Sequence, residues 1–352
     1  MRGGEKVLAE ICALFPDAPL YTHVCAPDRV DPLFKTHPVK ESFIARLPGA
    51  RRGCQKYLPL MPLALKQLDL EGFDLIISSE SGPAKGIRKP AGAKHLCYCH
   101  TPMRYLYDLH DEYFRRGNWA EKAAMLLFTK YLRRYDQRSA ESVDLFLANS
   151  NFVAQRIRQV YGRESLVVNP PVETAFFSKT EGIEKKNFYL LAGAFVPYKR
   201  PELAIESCLK MGRSLVVAGS GPLEKELRRK YTSPLITFIS SPDKETLRHL
   251  YASAAALLFP GIEDFGIIPV ECQAAGTPVI ACGRGGALET LLPGRTGLFF
   301  HEQSVPSLCG AIEEFESRSW EKSFCRENAE RFAPEHFRRK FRQAVAELLA
   351  NK

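Results

Sequence analysis

Short apolar runs alternate with stretches of helical period along this chain, and the alternation is carried through twice. Strand, loop and helix in repeated succession point to parallel sheets covered by helices, because each helix returns the chain to begin the next strand in the same direction. In the first half, strands are expected at 75–78, 94–99, 144–148 and 166–168, with helices at 4–15, 60–68, 119–142 and 151–161. Asn149-Ser150-Asn151 supplies N-cap side chains for the last of these. Asn169-Pro170-Pro171-Val172 then breaks the pattern, since two prolines continue neither a helix nor a central strand. The second half starts again, with strands expected at 188–192, 215–218, 236–239, 256–259, 279–281 and 297–299, and helices between and after them, one at 269–275. The expected organisation is α/β: a Rossmann-like domain over 1–170, a second over 171–335, and a terminal helix over 336–352 that packs back on the first. Gly3-Gly4 reads as a turn into the first helix. Such a turn normally follows a strand, and none precedes it here. The first sheet is therefore expected to lack its first strand, or the true start to lie upstream of Met1.

The formal net charge is +9. That balance favours anionic partners, a nucleotide diphosphate or an acidic membrane surface. The basic runs Arg133-Arg134, Arg228-Arg229-Lys230 and Arg338-Arg339-Lys340 fall on expected helices whose aromatic neighbours belong to the core, so nucleic acid is not expected. The ten cysteines are scattered without a C-x-x-C pair, which fits reduced thiols in the cytosol. Cys97 and Cys99 are expected on opposite faces of a strand. No apolar stretch is long enough to span a bilayer and no leader opens the chain, so a cytoplasmic protein is expected, peripheral on the inner face of a membrane.

Six stretches carry candidate chemistry. Glu263-Asp264-Phe265-Gly266-Ile267-Ile268-Pro269-Val270-Glu271 sets two carboxylates around a proline that favours a helix start. Free N–H groups at that start suit an anion, and the carboxylates suit sugar hydroxyls. The bland alternative for Glu271 is a carboxylate near a helix N-terminus. Gly193 to Arg200 ends in Lys199-Arg200, two cations at a strand end that can neutralise phosphate. Gly219-Ser220-Gly221 is a nucleotide loop or simply a tight turn. Gly283-Arg284-Gly285-Gly286 lets a backbone approach a ligand, or merely connects. His100, before Thr101-Pro102, is a cleft residue or a structural histidine. Gly3-Gly4 is a diphosphate contact or a turn. No stretch has metal-ligand spacing, and no P-loop or nucleophile elbow occurs.

In this order the stretches resemble the retaining glycosyltransferases of family 4, which have the GT-B architecture of two Rossmann-like domains facing across a cleft. Pro260-Gly261-Ile262-Glu263-Asp264-Phe265-Gly266 through Glu271, with Gly276-Thr277-Pro278-Val279-Ile280, is the most specific part. Cys99 to Tyr105 and Pro197-Tyr198-Lys199-Arg200 are most similar to bacterial mannosyltransferases of O-antigen and other surface polysaccharides. The resemblance implies catalytic roles for His100, Glu263 and Lys199. It implies donor contacts from Gly3, Gly4, Arg200, Phe265, Gly266, Ile267 and Glu271, the last on the ribose. The implied substrates are GDP-mannose or another nucleotide sugar and a glycan or lipid-linked acceptor, with no cofactor and no metal. Another nucleotide-sugar enzyme on this fold, or a non-catalytic homologue, is the alternative. One departure bears on the site. The family has an arginine beside the diphosphate where this chain has Ala194.

Overall fold

The computed structural model describes residues 3–26, 28, 30–107 and 119–350, so Met1 and Arg2 of the opening lie outside it. The chain divides into two units, one formed by the residues up to Pro170 together with those from Phe337 onward, the other by Pro171–His336.

The first unit is built on four parallel strands in the order β3 (Leu75–Glu80), β4 (Lys94–Cys99), β5 (Leu145–Ala148) and β6 (Ser165–Val167), after a separate parallel pair, β1 (Leu20–Thr22) and β2 (Val39–Glu41). Side chains alternate across a strand, so β4 feeds two cores. Leu96 and Tyr98 pack with Val7 and Ile11 of the helix Gly3–Leu14 and with Phe337 and Phe341 of the helix Pro334–Ala350. Cys97 and Cys99 go to the other face, with Phe146 and with Val153 and Ile157 of the helix Asn151–Tyr161. Residues two apart on a strand share a face, so the expectation that these cysteines oppose each other is wrong. Gly3 and Gly4 lie inside the first helical turn, not in a turn before it. The expected helix at 60–68 is shorter: a 3-10 segment Cys54–Leu60 runs into an α-helix Met61–Lys66, with Pro59 in the former and Pro62 near the start of the latter. The small β1–β2 pair had no sequence signal, since three-residue strands are too short to show alternation.

A buried ion cluster ties the end of β3 to the helices. Lys85 is fully buried, with Nζ 3.1 Å from Glu80 Oε1 and paired also with Asp136 Oδ1. The hydroxyls of Tyr107 and Tyr161 donate to Asp136 Oδ2, each at 2.9 Å. Burial alone would lower the Lys85 ammonium, but the two carboxylates prevail and keep it charged. Burial raises the Glu80 carboxyl against that attraction.

The second unit holds six parallel strands in the order β12-β11-β10-β7-β8-β9. These are β7 (Tyr189–Ala194), β8 (Leu215–Ser220), β9 (Ile236–Ser240), β10 (Ala256–Phe259), β11 (Val279–Cys282) and β12 (Gly297–Phe300). Leu190, Ala192, Leu257 and Val279 face one core, and Tyr189, Leu191, Leu258 and Ile280 the other. Both faces are buried, which is why these strands read as continuous apolar runs in the sequence. Strand order reverses between β7 and β10, the first and fourth strands of this unit. In open α/β sheets that reversal opens a crevice at the carboxyl ends of the two strands, where ligands bind.

Candidate functional site

The loops leaving β7 and β10 flank this reversal, and between them they carry Lys199 and Glu263. After Gly193, Phe195 turns into the core and a 3-10 turn spans Pro197–Lys199. Arg200 then takes a left-handed backbone (φ 51°, ψ 49°) and Pro201 begins the next helix. A non-glycine residue in that region costs about 1–2 kcal/mol. The kink sends the Lys199 side chain to the other loop, where Nζ lies 2.8 Å from Glu263 Oε1. Gly261 makes the approach possible, because a Cβ there would stand 2.8 Å from Lys199 Cα. The pair is half-buried, with side chains 18% and 19% exposed. The ammonium approaches Glu263 Oε1 outside hydrogen-bond geometry, and that oxygen is shut off from water with no hydrogen-bond partner. At that distance the ammonium and the carboxylate oxygen are each other's charge partner in the ligand-free protein.

The helix after Glu263 spans Ile267–Ala274, starting two residues before Pro269, with Gly266 at its N-cap in a positive-φ conformation (φ 90°). Its first-turn N–H groups have no intrahelical acceptor. The Phe265 side chain is core, 5.3 Å from the Phe332 ring, so this residue has only its backbone to offer a ligand. Glu271 is buried, and its Oε2 accepts a hydrogen bond from the Tyr251 hydroxyl at 3.2 Å. Arg200 does not join Lys199 in any direct contact. Its Nε donates to Glu202 Oε1 at 2.6 Å, a pairing available two residues along the chain. Ala194 is exposed at the end of β7.

Both glycine loops brace the site loops. Gly286 N–H donates to the Glu263 carbonyl at 2.8 Å, and a Cβ on Gly286 would overlap the Phe265 backbone. A Cβ on Gly221 would stand 2.6 Å from the Phe195 carbonyl oxygen. Gln303, which sequence reasoning missed, donates Nε2 to the Pro260 carbonyl at 2.7 Å. The glycines here let one backbone lie against another.

In the first unit, His100 follows β4. Its N–H donates to the Glu80 carbonyl (2.8 Å), its carbonyl accepts from Asn149 Nδ2 (2.9 Å), and its Nε2 lies 2.9 Å from Ser79 Oγ. Gly4 fits beside the ring, where a Cβ would stand 3.3 Å from Nε2. Gly3 begins the same helix. Burial pulls the imidazole down to about 4, so it is neutral at pH 7. Ser150, not either flanking asparagine, caps the helix Asn151–Tyr161 by accepting from Val153 N–H.

Solved structures of similar form show the fold. Sucrose-phosphate synthase of Thermosynechococcus elongatus superposes with a TM-score of 0.73 at 18% identity, covering 98% of this chain and 92% of that one. HepE of Anabaena, solved with UDP and glucose, gives 0.67 at 17% identity over 100% and 96%. The fold is GT-B. The model of glycosyltransferase family 4 matches residues 1–176, and that of the group 1 glycosyl transferases matches 173–332. The chain belongs to glycosyltransferase family 4. Among curated relatives, a D-inositol 3-phosphate glycosyltransferase of Kribbella flavida is 26% identical over 50% of this chain and 49% of its own. The alpha-1,3/1,6-mannosyltransferase of Homo sapiens is 26% identical over 74% and 69%. The chain thus spans about half the length of the D-inositol 3-phosphate glycosyltransferases it matches.

Proposed function

We propose that this protein transfers a hexose, mannose first among the candidates, from a nucleotide diphosphate sugar to a glycan or lipid-linked acceptor with retention at the anomeric carbon, in the synthesis of a surface polysaccharide. The observation that carries this reading is the half-buried Lys199–Glu263 pair at the strand-order reversal, beside the N-terminus of the helix Ile267–Ala274. Glu263 accepts from donor-sugar hydroxyls. Lys199 and the first-turn N–H groups of the helix Ile267–Ala274 meet the negative charge that grows on the departing diphosphate. That stabilisation is supplied by fixed groups, so it costs no reorganisation during the reaction. A leaving phosphate oxygen takes the acceptor's proton, which dispenses with a protein base and with a metal. Glu271 serves the ribose, and His100 with Gly3 and Gly4 serves the donor from the first unit. With Ala194 in place of an arginine, Lys199 is the main cation for the diphosphate. Thermal denaturation against GDP-mannose, UDP-hexoses and NAD tests the donor. A ligand at one hundred times its Kd stabilises by about 2.7 kcal/mol, so GDP-mannose should raise the melting temperature by several degrees and NAD should leave it unmoved. A shift with UDP-hexoses alone would replace mannose as the donor, and no shift with any sugar nucleotide would end the reading.

The acceptor side carries a surface suited to an anionic leaflet. Lys56, Leu60, Leu63 and Lys66 recur at helical spacing and are exposed, while Met61, Ala64 and Leu65 turn inward. Leu60 is 39% and Leu63 52% exposed. Among the described residues no helix is long and apolar enough to cross a membrane. Exposed leucines between lysines suit shallow insertion beside acidic headgroups. Sedimentation with phosphatidylglycerol vesicles should fall about fivefold in Leu60→Glu/Leu63→Glu, since each change removes buried apolar area and adds repulsion. Equal sedimentation of variant and parent would remove this surface from the account.

A further inference from the structure

The helices Ile267–Ala274, Ala287–Thr290 and Lys322–Glu330 of the second unit share one buried polar knot. Gln273, on the first of them, is fully buried. Its Nε2 donates to the Pro269 carbonyl at 3.0 Å and to the Thr290 carbonyl at 2.9 Å. Asn328, on the last of them, is buried too. Its Nδ2 donates to Gln273 Oε1 at 2.7 Å and to the Thr290 carbonyl at 2.8 Å, and its Oδ1 accepts from Arg331 Nη1 at 2.8 Å. The orientation of both amides is determined, because Pro269 and Thr290 offer only carbonyl oxygens here and the Arg331 guanidinium only hydrogens. Each amide hydrogen then has an acceptor. Thr290 ends its short helix, so its carbonyl has no donor within that helix and takes both of its donors from the knot.

The other end of the same short helix reaches the Glu263 loop. Gly286, its N-cap, donates its N–H to the Glu263 carbonyl at 2.8 Å. The segment Gly286–Thr290 is thus held at both ends, to the Glu263 loop by Gly286 and to the helix Ile267–Ala274 through Thr290. We propose that Gln273 and Asn328 are positioning residues for the donor site, holding this segment against the helix Ile267–Ala274 so that Glu263 and the start of that helix keep one spacing. Apolar side chains could fill the same space, but they would let one helix slide on another. A buried amide pair with every hydrogen placed fixes a single register. The helix Lys322–Glu330 reaches the loop a second time through Phe332 just beyond its end, whose ring packs edge-on against Phe265 at 5.3 Å. The inference rests on the reading that Glu263 meets the donor sugar while that helix start meets its diphosphate.

Gln273→Met keeps the length of the side chain and removes its hydrogen bonds. In the ligand-free protein, NMR should show the Gly286 amide exchanging about tenfold faster, because the far end of its short helix has lost part of its hold. Turnover should suffer as well, with kcat/KM for the donor down about tenfold, since a small displacement of one contact relative to another is enough. The Kd of GDP or UDP alone should stay within about twofold, because a nucleoside diphosphate makes no sugar contact and does not need the spacing. Ile312→Val is the control for lost stability. Ile312 is fully buried in the core on the other face of the sheet, so this change should lower the melting temperature and leave the Gly286 exchange and the rate as in the parent. An unchanged Gly286 amide or a parental kcat/KM in folded Gln273→Met overturns the proposal, and so does the same pair of changes in Ile312→Val. Faster Gly286 exchange in a protein whose parent binds no sugar nucleotide would overturn the positioning role through the proposed function, with the brace itself left standing.

Discussion

Lys199→Ala is expected to lower turnover about 10²- to 10³-fold, the range seen when one preorganised group facing developing charge is removed. It should leave the melting temperature within a few degrees. The two halves of this expectation have different origins. In the ligand-free protein the Lys199–Glu263 pair is half-buried, and pairs of that kind contribute about 1 kcal/mol or less. In a unit of this size that is worth about 2–4 °C. On the proposed function the ammonium would face a leaving diphosphate in a site closed to water, and there its charge would count for far more. Glu263→Gln should also be severe. It keeps the size of the side chain but removes the negative charge that makes its oxygen a strong acceptor. The double variant should be no worse than about the poorer single one, because the two side chains act as one unit. Steady-state rates with the donor that shifts the melting temperature, beside circular dichroism of each variant, make the measurement. A folded Lys199→Ala enzyme at parental turnover would show that the charge is met elsewhere.

Much of the scaffold could be read before any coordinates. Strands buried on both faces must be apolar throughout, and those runs located β3 to β12 within a residue or two. The reading failed where three-dimensional neighbours decide. Nothing local says that β7 and β10 are adjacent, so nothing local says that Lys199 and Glu263 share one ion pair. Arg200, which the resemblance places at the diphosphate, pairs in the ligand-free protein with Glu202, a partner two residues on that was visible in the sequence. Pro59 and Pro62 were visible too, and they forecast the broken helix that was expected to be whole. Ser79 left a fainter trace. It is a polar residue at the carboxyl end of a strand that begins Leu75-Ile76-Ile77, where an apolar side chain would have continued the pattern. The glycines were noticed, with a ligand's approach and a plain turn or connection both left open. A glycine pair after a strand looks the same whether a ligand or another loop presses on it.

That last ambiguity yields the second large effect. Gly286→Ala should cost about 3 kcal/mol or more of stability and should suppress turnover in whatever fraction remains folded. Gly286 has an ordinary helical backbone, so alanine there carries no conformational penalty of its own. The added methyl would overlap Cα, C and O of Phe265, and backbone atoms cannot step aside as a flexible side chain would. Overpacking a well-filled region costs about 1–3 kcal/mol, and more when the backbone must move. Relief requires the Glu263–Phe265 segment to withdraw, which would break the Gly286 N–H bond to the Glu263 carbonyl and displace the carboxylate from Lys199. Gly310→Ala is the matched control. Gly310 lies in the helix Val305–Glu316 with open space around it, so there the same methyl should stabilise by about 0.5–1 kcal/mol through helix propensity alone. Urea denaturation of the two variants separates the explanations. If Gly286→Ala were as stable and as active as Gly310→Ala, the loop after β11 would not be bracing the site, and the glycines there would again need a ligand to account for them.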